Sequence, residues 1–146
     1  HRLHPYPSNQ EKMELAKHSV LCVEDDKDNL ELMTYLFKSN NFEVTACDSL
    51  EDCLLQIRRS RFSAIILDNR FGNRSSVEVC DEIRFFNSNA PIIFYSGEAR
   101  ESEKQKAIEA CADAYLVKPN DFDKLTDTVS KLIEDSNSHH KTSLNP

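Results

Sequence analysis

The chain has 146 residues, a formal net charge of −7, 29% charged and 39% hydrophobic residues, five Cys and two Gly. That length allows one domain around one core, and two glycines 25 positions apart, Gly72 and Gly97, can form neither a G-x-x-x-x-G-K phosphate loop nor a G-x-G-x-x-G dinucleotide fingerprint. Residues 18–135 carry 14 basic against 23 acidic side chains, a balance that repels a phosphate backbone and excludes direct nucleic-acid binding by this segment.

Residues 1–17 are polar, contain Pro5 and Pro7, and read as a flexible N-terminal tail. Ser19–Glu24 (SVLCVE) reads as a strand that ends abruptly in acid, and Lys27–Asn40 as a helix with Asp26 or Asp28 as its cap. A second strand follows at Glu43–Asp48, and a helix over Ser49–Ser60 opens with S-x-x-D, an acidic relative of the capping box. Ser63–Leu67 (SAIIL) is almost wholly apolar and reads as a strand buried on both faces. Beyond a loop come a helix at Ser76–Asn87, a strand at Pro91–Tyr95, a helix at Glu101–Ala112, a strand at Ala114–Val117 and a closing helix at Asp121–Asp135. Phe122, Leu125, Val129, Leu132 and Ile133 form its apolar stripe. Residues 136–146 read as a flexible C-terminal tail, which leaves 18–135 as the folded domain. Five strand–helix repeats predict an α/β protein: a parallel sheet with helices on both faces, a three-layer sandwich.

No apolar run approaches the roughly 20 residues needed to cross a bilayer. The cysteines (22, 47, 53, 80 and 111) lack C-x-x-C spacing and each lies in an apolar or amphipathic segment. They read as buried free thiols of a cytoplasmic protein rather than a disulfide or zinc framework.

In an open α/β sheet, ligands bind outside the carboxyl ends of the strands. Those ends carry Glu24-Asp25-Asp26, Asp68, Ser96 and Lys118-Pro119. Carboxylates gathered there repel one another, and one lysine does not neutralise them. A divalent cation would, and a few hard oxygen ligands with room left for water suit Mg²⁺. An aspartate beside a metal and a lysine is equipped for phosphoryl transfer: the carboxylate attacks phosphorus while the cations neutralise the equatorial oxygens.

VLCVEDD, AIILDNR, IIFYSG and AYLVKP, in this order and spacing, resemble the receiver domain of two-component response regulators over residues 18–135. The resemblance implies a flavodoxin-like sheet of order 2-1-3-4-5 and a phosphoryl group received from a histidine kinase or a histidine phosphotransfer protein. It makes Asp68 the phosphoacceptor and places Mg²⁺ among Glu24 and Asp25, the acidic pair of which Asp25 is the more direct ligand, Asp68 and the Arg70 backbone carbonyl. Ser96 and Tyr115 take the switch positions, Gly97 leaves space for phosphate, and Lys118 takes the lysine position, followed by a cis bond to Pro119. The same resemblance implies a downstream effector or output domain as partner, leaves room for a homodimer, and makes the chain a stand-alone receiver or a piece of a larger regulator. Its turnover would be limited to its own phosphorylation and dephosphorylation. Where relatives carry a proline and a glycine in the loop after the acceptor, this chain has Gly72 and Ser76, so the conformation of that loop is open.

Other readings compete. An aspartyl-nucleophile phosphatase wants a general acid two residues after the nucleophile, where Arg70 stands. A flavin binder would meet repulsion between its phosphate and Glu24-Asp25-Asp26. A degenerate receiver acting as a scaffold would not need the full Asp, Lys and Ser set. On the first helix, Leu30, Leu32, Met33, Tyr35, Leu36 and Phe37 exceed one core-facing stripe, so apolar surface should remain exposed near the acidic pocket as a docking patch for a helical partner. The fourth helix has few large side chains to bury and is expected to re-aim when Ser96 and Tyr115 rearrange.

Overall fold

The alternation of strand side chains dictates the architecture. Leu21, Val23, Ile65, Leu67, Ile92 and Phe94 contribute to one buried cluster, and Val20, Cys22, Ala64, Ile66, Ile93 and Tyr95 to the other. A sheet that is apolar on both faces must be covered on both. In the computed structural model, which describes residues 17–144, five parallel strands do this: β1 (Ser19–Val23), β2 (Glu43–Cys47), β3 (Ala64–Leu67), β6 (Ile92–Ser96) and β7 (Ala114–Val117). Their order is β2-β1-β3-β6-β7, the 2-1-3-4-5 arrangement of the five long strands. Two further strands, β4 (Arg70–Phe71) and β5 (Arg74–Ser75), form a separate antiparallel hairpin.

Five helices complete the layers: α1 (Lys27–Ser39), α2 (Leu50–Arg59), α3 (Cys80–Phe86), α4 (Glu101–Ala110) and α5 (Leu125–Leu144). Met33 and Phe37 of α1 and Leu125, Val129 and Ile133 of α5 fill one face of the sheet. Leu50, Cys53 and Ile57 of α2, Ile83 of α3 and Ala107 of α4 fill the other. Helix starts follow the caps read from sequence. Asp26 accepts from the Asn29 amide at 2.9 Å, and Ser49 accepts from the Asp52 amide at 3.0 Å. Asn41 ends α1 at a φ of 68°, a left-handed conformation that asparagine tolerates.

Three expectations need correction. The closing helix does not stop at Asp135 but runs to Leu144, so residues 136–144 are helical where a tail was read. No Gly or Pro lies between Asp135 and Leu144, and Ser, Asn and His weaken a helix by no more than about 0.7 kcal/mol each. Ser136 also donates to the Asn89 carbonyl at 2.7 Å. The expected N-terminal tail lies outside the described residues except for Lys17. Second, the helix read from Ser76 begins as a 3-10 turn at Ser76–Val79 before α3. Third, the cysteines are not all free. Cys80 at the start of α3 and Cys111 after α4 form a disulfide across adjacent helices, with Cα atoms 5.6 Å apart, while Cys22, Cys47 and Cys53 are free and buried. Spacing along the chain does not show that pair; helix packing on one face of the sheet brings it together.

Candidate functional site

β1, β3, β6 and β7 end at one edge, and register places their polar residues side by side: Val23 pairs Leu67, and Ser96 pairs Val117. The residues immediately after these strands are Glu24, Asp68, Gly97 and Lys118. Glu24, Asp25 and Asp68 each offer a carboxylate oxygen, and the three oxygens lie within 4.8 Å of one another. Glu24 is buried, Asp68 is half-buried and Asp25 is exposed. The Lys118 Nζ reaches into this group, 2.8 Å from Asp68 Oδ2 and hydrogen-bonded to Glu24 Oε1. The Lys118–Pro119 bond is cis.

Electrostatics in the pocket are strongly coupled. Burial raises the Glu24 carboxyl pKa, although the Lys118 ammonium and the Asp26 amide pull against it. Burial by itself would lower Lys118, but hydrogen bonds to Asp68 and Glu24 outweigh it and hold the ammonium above its usual range. Three carboxylates against one ammonium leave the pocket net negative. Hard oxygen donors so placed, with one of them exposed to water, fit a small divalent cation.

The loop after Asp68 has a defined shape. Gly72 turns the β4–β5 hairpin at a φ of 64°, and a Cβ there would meet nothing, so the need for glycine is conformational. Ser76 is buried and its hydroxyl donates to the Asp68 carbonyl. Ser75 and Glu78 form a capping box on the 3-10 turn. Gly72 and Ser76, whose consequence the sequence leaves open, thus make a short hairpin pinned back to Asp68. The Arg70 amide faces the Asp68 carboxylate, 3.4 Å from Oδ1.

Ser96 is 2% exposed and its Oγ accepts from the Glu98 amide at 3.2 Å. The Tyr115 hydroxyl donates to the Glu98 carbonyl at 2.7 Å and accepts from Asn69 Nδ2 at 3.3 Å. Burial raises the Tyr115 pKa, and hydrogen bonds from Ser96 and Asn69 oppose the rise. At Gly97 an added Cβ would meet no atom within 4 Å outside its chain neighbours. Every site residue read from sequence therefore falls at this edge or on the Tyr115 side of it. Sequence reasoning passed over Asn69, which is 2% exposed, and the Glu98 carbonyl. The only signal for Asn69 was an amide side chain directly after a doubly buried strand and Asp68.

A family model for the response regulator receiver domain matches residues 20–130. The transcriptional regulatory protein ZraR of Salmonella typhimurium is 28% identical over 118 residues, 81% of this chain and 27% of that protein. The sensory transduction protein RegX3 of Mycolicibacterium smegmatis is 30% identical over 101 residues, 69% of this chain and 44% of that protein. The chain thus spans less than half the length of either relative. Among solved structures, a CheY-like receiver domain protein from Methanospirillum hungatei superposes with a TM-score of 0.79 at 18% identity, covering 85% of this chain and 99% of that one. The receiver domain of a sensor histidine kinase from Pseudomonas aeruginosa, solved with magnesium coordinated in its active-site cleft, gives a TM-score of 0.73 at 24% identity, covering 82% and 99%.

Proposed function

The chain belongs to the response regulator receiver family of two-component systems, and from that premise we propose that Asp68 accepts a phosphoryl group from a histidine kinase or a histidine phosphotransfer protein. The observation that carries this reading is Lys118 Nζ held between Asp68 and Glu24 at the mouth of an acidic pocket. An Asp68 oxygen attacks phosphorus, an O–P bond forms, the P–N bond to the donor imidazole breaks, and its electron pair stays on that nitrogen. Lys118, already on Asp68 Oδ2 at 2.8 Å, compensates charge on the phosphoryl oxygens as it moves to the new group. Glu24, Asp25, Asp68 and the Arg70 carbonyl would hold Mg²⁺, which when bound supplies further neutralisation of those oxygens. Ser96, beside the open space at Gly97, donates a hydrogen bond to the product, and Tyr115 carries the change toward α4.

The chain is a signalling domain in this reading. Its own chemistry is limited to taking and losing one phosphoryl group, and its effect is a change in binding to an effector or output domain. Leu32 and Tyr35 on α1 are 55% and 74% exposed and lie on the helix that follows the acidic turn, which suits them to the helix of a phosphoryl donor. The working compartment is the cytoplasm. Among the described residues no helix is long and apolar enough to cross a membrane.

Incubation with acetyl phosphate and Mg²⁺, read by intact mass, tests the proposal. One added phosphoryl group is expected, absent in Asp68→Asn and absent when the metal is chelated. Uptake that survives in Asp68→Asn, or that proceeds equally without metal, would overturn the assignment.

A further inference from the structure

Asn69 is buried, polar and used at both ends of its side chain. Nδ2 donates to the Tyr115 hydroxyl at 3.3 Å, and Oδ1 accepts from Ser75 Oγ at 3.4 Å. Its backbone carbonyl accepts from the Ser76 amide at 2.8 Å. Hydrogen-bond chemistry fixes which way the amide faces. Tyr115 gives its one proton to the Glu98 carbonyl, so toward Asn69 it can only accept, and the NH₂ group must be the partner. Ser75 uses Oγ as acceptor for the Val77 amide and gives its own proton to the amide oxygen.

From this arrangement we infer that Asn69 is a positioning residue that couples the Asp68 loop directly to Tyr115, by a route that does not pass through Ser96. The inference rests on Asp68 being the phosphoacceptor. Asn69 is the next residue along the chain, so its Cα moves with any displacement of the Asp68 peptide. Its carboxamide bridges the hairpin, at Ser75, and β7, at Tyr115, and is buried there. Displacing the loop therefore either drags the Tyr115 hydroxyl or breaks a buried hydrogen bond, and breaking it leaves an amide N–H unmet. Tyr115 is held as well by a hydrogen bond from Ser96, a second link beside that of Asn69, by stacking on Phe94, centroids 6.0 Å apart, and by Lys104 Nζ 6.0 Å from its ring centroid. Lys104 lies on α4, so a shift of the hydroxyl tilts the ring against that helix.

Beryllofluoride with Mg²⁺ serves as the phosphoryl stand-in, and the full chain labelled with 3-fluorotyrosine serves as reporter. Asn69→Leu keeps the branched shape and removes both polar ends; Tyr115→Phe removes the hydroxyl and assigns the resonance. Each single variant is expected to change beryllofluoride affinity by about fivefold, the worth of one buried hydrogen bond. The double variant should change it no further than either alone. In Asn69→Leu the fluorine resonance of Tyr115 should lose most of its response to beryllofluoride, while intact-mass uptake from acetyl phosphate persists. Multiplicative effects in the double variant, or an undiminished Tyr115 response, would overturn the coupling. If Asn69→Leu does not fold, Asn69→Ala answers the same comparison with the same outcomes. Failure of the unmodified chain to bind beryllofluoride or take up phosphoryl is a different result: it removes the phosphoacceptor reading, and this inference with it.

Discussion

Lys118 holds together a pocket that would otherwise repel itself. Glu24 is 1% exposed, and such a carboxylate is tolerable only because the ammonium and the Asp26 amide both bond to it. Truncating Lys118 to Met leaves Glu24 buried without its cation, and should cost on the order of 3 kcal/mol in urea denaturation at neutral pH. The pH dependence has a definite sign. Folding raises the Lys118 pKa above its ordinary value of 10.5, so its stabilisation is complete below that value and is lost as pH rises through the raised one. Upward from neutral pH, the stability gap between the native chain and Lys118→Met should hold up to about pH 10 and close above it. Asp121 behaves in the opposite sense. It accepts from the Val117 amide at 2.8 Å and pairs with Lys124 at 3.1 Å, and these contacts lower its pKa below 3.8. Its contribution is therefore complete above 3.8 and is lost as pH falls through the depressed value. Thermal melts of Asp121→Ala against the native chain should differ at pH 6 and converge in strong acid.

Elements with strong patterns were readable from sequence, and those without them were not. AIIL and IIFYS declare themselves as doubly buried strands, and Asp26 and Ser49 announce α1 and α2 through side chains that meet orphan amides. The β4–β5 hairpin has two residues per strand, too few for any alternation to register, and only Gly72 hints at the turn. The extension of α5 was missed because its polar sequence carries no apolar stripe to announce a helix, although no Gly or Pro in it breaks one. The Cys80–Cys111 disulfide was missed for a different reason: it depends on where two helices begin and end, not on local pattern. It fastens the end of α4 to the start of α3 and closes a loop of 31 residues, which restrains the unfolded chain by about 3 to 4 kcal/mol. α4 buries little else, with Ala107 as its one buried residue and Ile108 47% exposed. Any re-aiming of α4 then pivots at its C-terminal end. Alkylation of the chain in denaturant should label three cysteines without reductant and five with it, and Cys80→Ser should lower the denaturation midpoint markedly. Five labelled residues without reductant would remove the tether.

At the scale of the whole molecule, the demands of folding and of the proposed phosphoryl chemistry oppose each other at the carboxyl edge of the sheet. The apolar strands supply stability, and the acids at their ends withdraw part of it: Glu24, Asp25 and Asp68 face one ammonium in a segment already rich in negative charge. Repulsion of this kind is tolerated at functional sites and relieved by what binds there. The doubly covered parallel sheet was legible in the alternation of apolar strands and helices, and the strand-end rule gathered the polar residues at one edge. The strand order and the role of each site residue were instead implied by the resemblance to receiver domains. The coupling of those ends through Asn69 and Tyr115 was not legible, since it depends on side-chain directions in a loop. Two consequences follow for the intact chain. In chelator, Asp25→Asn should melt above the native protein, because one repelling charge is gone and no buried contact is lost with it. On adding Mg²⁺ the order should reverse: the native chain gains about 2.7 kcal/mol at a hundredfold excess over its dissociation constant, and Asp25→Asn gains little. Sodium chloride at matched ionic strength controls for screening and should move both proteins together by less. If magnesium raises both melting curves equally, the three carboxylates do not form a binding site, and the acidic edge is a solvated surface.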